Sequence, residues 1–413
     1  MTETAMTGTD WSSYEYNEAE QDQNPYPGYD AMLAAGPVWS DRLGGYWSLS
    51  RYEHVLYAYQ HPEIFSSYPN YIPAPEGSEG GTGAIGKLIP VEIDPPDHAV
   101  YRQLMAPPFS PREVAKYEPW LRARCDELLD PIIERGTCEF MSEFATPLPA
   151  QLWCRMMEVP ISDATDALHW AAQVNHGDPS APDGGLSVRM EGAQSAYGYL
   201  AALLAKRRAE PGDDLISLLA RAQFPHDAGE GDTDRPLSDM EILNASFFVL
   251  LAGLDTTRGV LGEMMWQLAR SPDLRHRLAD EPEISTNAIE ELTRLASPIA
   301  PGRTLTRDIE LSGVTMRKGD RVLLITGAAA RDPRRYDDPH QVDFDRTAIR
   351  HLAFGAGPHR CTGAHVARLE LRIALEQIHR RMPDYTLAGG QSVRWMPKPI
   401  RGIEYLHLQI GSR

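Results

Sequence analysis

Residues 354–363 read Phe354-Gly-Ala-Gly-Pro-His-Arg-Cys361-Thr-Gly363, and this stretch is the most informative in the chain. Its glycines at 355 and 357 allow the backbone to bend tightly and to approach another group closely. A helix is predicted to follow Cys361, and the unpaired N–H groups and positive dipole at a helix start stabilise a thiolate. A loop that presents one thiolate in this way suits the axial ligation of a flat metal complex, and cysteine thiolate is a ligand of haem iron in proteins.

Two other interpretations of this loop stay open on the local sequence alone. Cys361 could be a buried, inert cysteine, which is the usual state of a lone cysteine. Alternatively, His359, Cys361 and His365 could be zinc ligands, but their spacing is unfamiliar and a fourth ligand is missing. The local pattern favours the axial-ligand interpretation.

A long helix is predicted over residues 238–270. Ser238 is suited to be its N-cap, and Glu241 three residues later completes a capping box. The segment contains no proline over about 33 residues, which corresponds to roughly 50 Å of helix. Because it is so long and so apolar in its middle, we expect it to run through the centre of the domain.

The middle of this helix contains the sequence Leu251-Ala-Gly-Leu-Asp255-Thr256-Thr. Gly253 costs about 1 kcal/mol of helix propensity, and the Thr256 hydroxyl can bond back to the carbonyl of Ala252. A weakened, polar turn of this kind could bind a small ligand such as oxygen and deliver protons to it. The spacing also places several side chains on one face that ends in an acid; they are Phe248, Leu251, Ala252 and Asp255. A helix kink with a structurally hydrogen-bonded Asp255 explains the same pattern.

Three further features are weak by themselves. Glu291 and Arg294 are spaced to form an i, i+3 pair, which on a surface contributes under about 1 kcal/mol. His98 and Arg102 place two donors on one helical face, and Arg303 follows a Pro-Gly pair. Ordinary surface charge explains each of them.

Composition excludes several classes of protein. The net formal charge of −18 argues against nucleic-acid binding, which requires a basic face. The longest apolar stretch, residues 247–254, is far shorter than the ~20 residues that span a bilayer. The four cysteines are too sparse for a disulfide framework, and the polar N-terminus predicts neither a leader nor an anchor. A cytoplasmic protein is therefore expected.

The chain reads as mainly α with small peripheral sheets. Residues 1–30 are predicted to be a flexible lead-in, and residues 31–413 a single domain with a hairpin around its glycines at 44 and 45. Residues 68–96 are rich in glycine and proline without any period. A stretch of this length is typical of a functional loop or of a flexible insertion.

Taken together and in this order, the motifs resemble the cytochrome P450 superfamily of soluble bacterial haem-thiolate monooxygenases, over nearly the whole chain. The haem-binding loop of that family is matched by Phe354, Gly355, Gly357, Cys361 and Gly363. Its oxygen-activating turn is matched by Ala252, Gly253, Asp255 and Thr256. Its buried ExxR pair is matched by Glu291 and Arg294, with Arg346 as the third member. Its haem-propionate partners are matched by His98, Arg102, Arg303 and His359.

This resemblance implies a fold, a cofactor and an activity. The fold would be a large helical domain with a long central helix, and the zinc and inert-cysteine interpretations would no longer apply. The cofactor would be haem b with Cys361 as the axial ligand of the iron, and Asp255 and Thr256 would relay protons while one oxygen atom from O₂ enters the substrate. Residues 68–96 would form a substrate lid.

The resemblance also implies partners. Electrons from NAD(P)H would arrive through a separate ferredoxin and its reductase. The substrate would be an apolar small molecule such as a terpenoid, an aromatic compound or a natural-product intermediate, with hydroxylation the expected outcome. It would contact Phe248, Leu251, Ala252, Ile299 and Ala300. A peroxide-driven haem enzyme and a non-catalytic haem sensor or carrier are the alternatives.

Overall fold

The computed structural model describes residues 10–14, 25–69, 87–178, 181, 185–225, 234–281, 283–347, 349–389, 393–396 and 400–411. The helices in these residues are α1 (Tyr26–Ala35), α2 (Tyr52–Gln60), α3 (Asp97–Met105), α4 (Pro111–Ala115), α5 (Glu118–Arg135), α6 (Pro147–Met156), α7 (Ala164–His176), α8 (Leu186–Ala209), α9 (Leu215–Arg221), α10 (Asp239–Ala269), α11 (Pro272–Asp280), α12 (Thr286–Ala296), α13 (Thr326–Ala329) and α14 (Ala364–Arg381).

The strands are short. They are β1 (Val38–Ser40), β2 (Tyr46–Leu49), β3 (Phe65–Ser66), β4 (Thr137–Glu139), β5 (Gln223–Phe224), β6 (Arg235–Pro236), β7 (Gly302–Leu305), β8 (Ile309–Leu311), β9 (Val314–Met316), β10 (Arg321–Leu324), β11 (Tyr385–Leu387), β12 (Arg394–Trp395), β13 (Ile403–Tyr405) and β14 (His407–Ile410). The predicted fold class, mainly α with small sheets, is confirmed.

The largest sheet has the strand order β1-β2-β10-β7-β3. The hairpin β1–β2 forms where the glycine pair predicts it, and β10 joins β2 in parallel register, with Val322 opposite Trp47. A three-stranded sheet has the order β11-β14-β4, and β5–β6, β8–β9 and β12–β13 are separate pairs. The alternating sequence of residues 309–325 is typical of one small hairpin sheet. The structure divides this segment instead, since β8 pairs with β9 while β10 belongs to the large sheet.

Helix α10 is central because its residues belong to two hydrophobic clusters. Its start is fixed by the predicted capping box, in which Ser238 Oγ accepts from the Glu241 amide at 3.3 Å and the Ser238 amide donates to the Glu241 carboxylate at 2.7 Å. Residues 242–254 pack with α6, α7, α8 and α9, and residues 260–269 pack with α5, α12 and α14. The turn at residues 255–259 lies between the two clusters, so it is held from both sides.

Helix α10 is also long and apolar enough to cross a bilayer, and 56% of its most apolar window is buried inside the protein. A buried core helix of a soluble protein passes the same test. The helix is therefore weak evidence for a membrane span.

One boundary differs from the sequence-based expectation, and one predicted segment is described only in part. Helix α1 begins at Tyr26, before the predicted end of the lead-in at residue 30, because Tyr29 and Met32 are buried in a cluster with β1 and β2. Residues 70–86 of the predicted lid lie outside the described residues. In the part that follows them, Leu88 and Val91 are buried in the same cluster as α8 and the first half of α10, and the lid stays a prediction.

Candidate active site

One face of α10 is open at the middle of the helix. Gly253 is exposed although its neighbours Leu254 and Asp255 are buried, and Ala252 and Thr256 are only half-buried. A Cβ atom built on Gly253 would meet no atom of the described residues within 4 Å outside its own stretch of helix. The glycine is therefore not required by packing against another element, and its missing side chain leaves room beside the helix.

The helix is altered at this turn as the sequence predicts. The Thr256 hydroxyl donates to the Ala252 carbonyl at 2.7 Å, which confirms the expected back-bond. A carbonyl that accepts from a side chain is drawn away from the ideal helical ladder, and such contacts often bend helices. The turn therefore presents a hydroxyl and a carbonyl beside the open space at Gly253.

The Cys361 loop is braced against α2. The Cys361 amide donates to the Phe354 carbonyl at 2.8 Å and closes the loop. Gly357 has φ +64°, and a Cβ there would lie 2.2 Å from the Tyr59 carbonyl oxygen. This close approach explains the requirement for glycine. Helix α14 begins directly after Gly363, so Cys361 lies at a helix start as predicted.

The Cys361 thiol lies in a recess. The residue retains accessible surface, yet protein surrounds it closely enough that burial raises the pKa of the thiol. A hydrogen bond with the Gly363 backbone and the charges of Arg102, Arg368 and Arg360 act in the opposite direction. Burial prevails over these contacts, so the recess by itself does not hold a thiolate. A metal cation bound at the sulfur would stabilise the thiolate, because a coordinating thiol is deprotonated outright.

A cluster of donors lies beside the loop. The rings of His98 and His359 are 4.0 Å apart, and His98 is 1% exposed. Burial and the charge of Arg102 lower the pKa of His98 to about 4. Burial and the charge of Arg303 lower the pKa of His359 to about 2. Both rings are therefore neutral next to two guanidinium groups, and the donor set as a whole suits a dianionic ligand.

The donor cluster suits the two propionate carboxylates of haem, and the Cys361 thiol suits its iron. The propionate candidates from α3, β7 and the loop converge at one place, since His359 is two residues from Cys361 and Arg102 interacts electrostatically with the thiol. Ser67 adds a hydroxyl 3.2 Å from His359 Nε2. The sequence analysis missed Ser67, which no local motif distinguishes.

Asp255 is closed in by three side chains and is 2% exposed. Asn175 Nδ2 donates to its Oδ2 at 2.6 Å, Arg258 Nε lies 2.9 Å from its Oδ1, and His176 Nε2 lies 3.3 Å from its Oδ2. The arginine and histidine nitrogens are within ion-pair distance but are not aligned for hydrogen bonds. Burial opposes ionisation, but His176, Arg258 and Asn175 outweigh it and lower the pKa of Asp255 to about 2.

Sequence reasoning missed these partners of Asp255. The i, i+3 spacing of Asp255 and Arg258 on one helix was an available signal. Asn175 and His176 belong to α7 and carry no motif, so only the packing of α7 against α10 reveals them.

The Glu291–Arg294 pair is fully buried, with both side chains 0% exposed. Arg294 donates to both carboxylate oxygens at 2.7 Å, and Arg346 donates to Oε1 at 3.0 Å. The backbone amide of Asp343 donates to the same oxygen at 3.1 Å. The structure therefore brings together all three residues of the predicted network, and the surface-bridge explanation is wrong.

The candidate substrate contacts are divided between two regions. Phe248 and Leu251 belong to the cluster around the first half of α10. Ala300 is buried in a different cluster, with α1, β1 and β10. Ile299, beside it, is half-buried, so Ile299 is the more open of the two side chains. The assignment of both residues to the substrate site stays a prediction.

The chain is similar to a family model, to characterised proteins and to solved structures. A family model described as Cytochrome P450 matches residues 189–382. A methyl-branched lipid omega-hydroxylase from Mycobacterium tuberculosis is 37% identical over 375 residues, which cover 88% of this chain and 83% of that protein. A vitamin D(3) 25-hydroxylase from Pseudonocardia autotrophica is 31% identical over 415 residues, covering 99% of each. The crystal structure of CYP109E1 from Bacillus megaterium in complex with testosterone has a TM-score of 0.83 and 26% identity, covering 96% of this chain and 100% of that one.

Proposed function

Because this chain belongs to the cytochrome P450 family, whose members are haem-thiolate monooxygenases, we propose that Cys361 is its iron ligand and that it hydroxylates a large apolar substrate. The observation that carries the site assignment is the convergence of the His98, Arg102, Arg303 and His359 donors beside the Cys361 recess. A dianionic, planar cofactor with a cation at its centre satisfies both the donors and the thiol.

Each group has a defined task in this assignment. Cys361 ligates the iron as a thiolate, and His98, Arg102, Arg303 and His359 hold the propionates. When bound, haem supplies the iron at which O₂ is reduced and activated. A neutral imidazole already carries one N–H donor, so neither histidine needs a charge to donate a hydrogen bond to a carboxylate.

The turn of α10 that contains Asp255 and Thr256 transfers protons in this assignment. The Thr256 hydroxyl is a donor and an acceptor at the edge of the open space, so it can pass a proton while its oxygen stays anchored near Ala252. Asp255 lies next to it in the helix and is held as a carboxylate. This acid and this alcohol together can transfer protons from the protein interior to the space at Gly253, where oxygen would be bound.

The substrate class is supported by the wall of the site and by the relatives. The helix face contributes Phe248, Leu251 and Ala252, all without polar side-chain atoms. The names of the relatives mention methyl-branched lipids and vitamin D(3), and the similar solved structure contains testosterone. We therefore favour a lipid- or sterol-sized substrate hydroxylated at an unactivated C–H bond.

Electrons are proposed to come from NAD(P)H through a ferredoxin and its reductase. The acid–alcohol pair supports this route over a peroxide-driven one, because reduction of O₂ requires protons as well as electrons. The same pair argues against a sensor or carrier, which has no use for proton delivery.

The test is the carbon monoxide difference spectrum of the reduced protein, followed by substrate titration. The red-shifted Soret band of thiolate-ligated haem is expected for the wild-type protein and should be lost in Cys361→Ser. Vitamin D(3), testosterone and a methyl-branched fatty acid are then titrated and followed by the ferric spin-state change. A wild-type protein without the thiolate band would refute the cofactor assignment, and a response to none of the three probes would refute the substrate class.

A further inference from the structure

We propose that His176 is the proton donor that reloads Asp255, which makes it a residue of the proton path rather than a structural neighbour. This inference rests on the proposed function, because it concerns the delivery of protons to the Thr256 turn. It adds a residue of α7 to a path that otherwise consists of α10 residues.

Asp255 cannot exchange protons directly with solvent. The residue is 2% exposed, and both carboxylate oxygens have partners: Arg258 on Oδ1, and Asn175 and His176 on Oδ2. A proton that reaches Asp255 must therefore pass through one of these three groups, or the site must open.

The three neighbouring groups differ in whether they can gain and release a proton. A guanidinium stays protonated at any physiological pH, so Arg258 cannot release a proton. The Asn175 amide neither gains nor loses a proton near neutrality. An imidazole is the one of the three groups that ordinarily gains and loses a proton between pH 5 and 8. His176 is thus the group among the described neighbours of Asp255 that can carry a proton to it.

The position of His176 suits exchange with solvent. It is the last residue of α7, and its side chain is 15% exposed. Both ring nitrogens are covered and form no aligned hydrogen bond with a described residue, so exchange with solvent requires the ring to turn. The backbone is fixed, because Arg189 of α8 donates to the carbonyls of Asn175 and His176 at 3.0 and 3.1 Å. Rotation of a histidine ring about χ2 is broad, so the ring can turn while the chain stays in place.

The step balances as a proton transfer. With the ring turned inward, the imidazolium of His176 gives its Nε2 proton to Oδ2 of Asp255, which leaves a neutral imidazole and a carboxylic acid. Asp255 passes the proton to the Thr256 turn and returns to a carboxylate. The ring then turns outward and takes a proton from water, so one proton moves inward per cycle and no electron moves.

The charges around His176 make the acid form of Asp255 short-lived. His176 faces Asp255 and Arg258 on α10, and its backbone contacts Arg189 on α8. The positive charge of Arg258 favours the carboxylate, so a proton on Asp255 is quickly passed on. The direction of transfer is therefore toward the Thr256 turn as long as protons are consumed there.

The test compares His176→Gln with His169→Gln in the haem-loaded protein. Glutamine keeps a hydrogen-bond donor near Asp255 but cannot gain or lose a proton near neutrality, and His169 is an exposed histidine on the same helix. With the best probe from the spin-state titration, we expect His176→Gln to reduce product formed per NAD(P)H by about tenfold or more, at the low end of general acid–base effects. The loss should persist from pH 6 to 8.5, and His169→Gln should behave as wild type.

A double variant separates the proton path from mere positioning. In an Asp255→Asn background, His176→Gln should cause no further loss, because the group that it serves is absent. An additional loss there, or wild-type coupling in the single variant, would refute the role of His176.

A measurement without turnover completes the test. In the ferrous–carbonyl protein labelled with ¹⁵N-histidine, the ring signals that disappear in His176→Gln should show exchange between two ring orientations and should differ in Asp255→Asn. A single, static ring orientation would overturn the proposal. A wild-type protein without the thiolate band would instead overturn the proposed function, so the two failures are distinct.

Discussion

The substitution Glu291→Gln tests whether the ion network between α12 and the segment before the Cys361 loop stabilises the fold. Gln preserves the size of the side chain but removes its charge. In the wild-type protein the carboxylate accepts two bonds from Arg294, one from Arg346 and one from the Asp343 amide. The variant leaves Arg294, at 0% exposure, and Arg346, at 9%, without their carboxylate.

The size of the effect follows from this burial. Removal of one partner of a buried ion pair costs about 3–5 kcal/mol, because the remaining charge is stranded in a medium of low polarity. At about 2.1 cal/mol/K per residue, unfolding of 413 residues has an entropy near 0.9 kcal/mol/K. We therefore expect the apparent unfolding midpoint to fall by about 3–6 °C.

The assay is thermal loss of the thiolate-type carbon monoxide band at a fixed heating rate. A matched control is Asp345→Asn, since Arg277 binds Asp345 through two bonds of 2.7 and 2.8 Å but the Asp345 side chain is 75% exposed. Surface pairs contribute little, so this variant should keep the wild-type midpoint. Equal midpoints for Glu291→Gln and Asp345→Asn would refute the reasoning from burial.

Three further outcomes are expected. Thr256→Ala should keep consuming NAD(P)H while product per NAD(P)H falls, and unchanged coupling in a reconstituted assay would contradict its role. Gly357→Ala should abolish the thiolate band, because its Cβ would lie 2.2 Å from the Tyr59 oxygen; Gly198→Ala, whose Cβ meets no described residue within 4 Å outside its own stretch of helix, should retain it. Burial raises the pKa of Glu370 from 4.5 to about 8, so the folded form holds a proton that the unfolded form releases, and stability falls as pH rises between these values. Glu370→Gln should therefore melt higher than wild type at pH 8 but not near pH 4.5, and equal midpoints at pH 8 would disprove this.

Features set by neighbours along the chain were predictable from the sequence. Helix α12 begins after its N-cap Ser285 and ends shortly before Pro298, and the Thr256–Ala252 bond follows from a spacing of four. The capping box of Ser238 and Glu241 is equally local. In each case the two partners lie within one helical turn, so the pattern of residue types determines the contact.

Features set by packing between distant segments were not predictable. Asn175 and Asp255 are 80 residues apart, and no periodicity relates the end of α7 to the middle of α10. The position of Ile299 and Ala300 after α12 does not show which of the two packs inward, because that depends on the sheet beside the extended segment. Burial of Glu370, which has no hydrogen-bond partner for Oε1 in the described residues, is likewise a property of the assembled helices.

The construction of α10 explains how a weak turn can persist at the centre of the molecule. Gly253 and the adjacent threonines cost about 1–2 kcal/mol of helix propensity. Each fully buried leucine in the flanking clusters, such as Leu250 and Leu261, contributes about 1.5–3 kcal/mol. The helix is thus stabilised on both sides of the turn.

Because the flanking clusters hold the helix, the residues of the turn need not contribute to stability and can serve chemistry. Asp255 is the exception, because a buried carboxylate must be compensated, and two of its partners come from α7. The docking of α7 on α10 therefore both completes the fold and sets the charge of the acid. Substitution of Asn175 or Arg258 should disturb both the fold and the charge of Asp255, since each residue makes a close contact to the carboxylate. His176→Gln keeps a hydrogen-bond donor at that position but removes the ability to transfer a proton. The variant therefore separates proton delivery from the structural contact with Asp255.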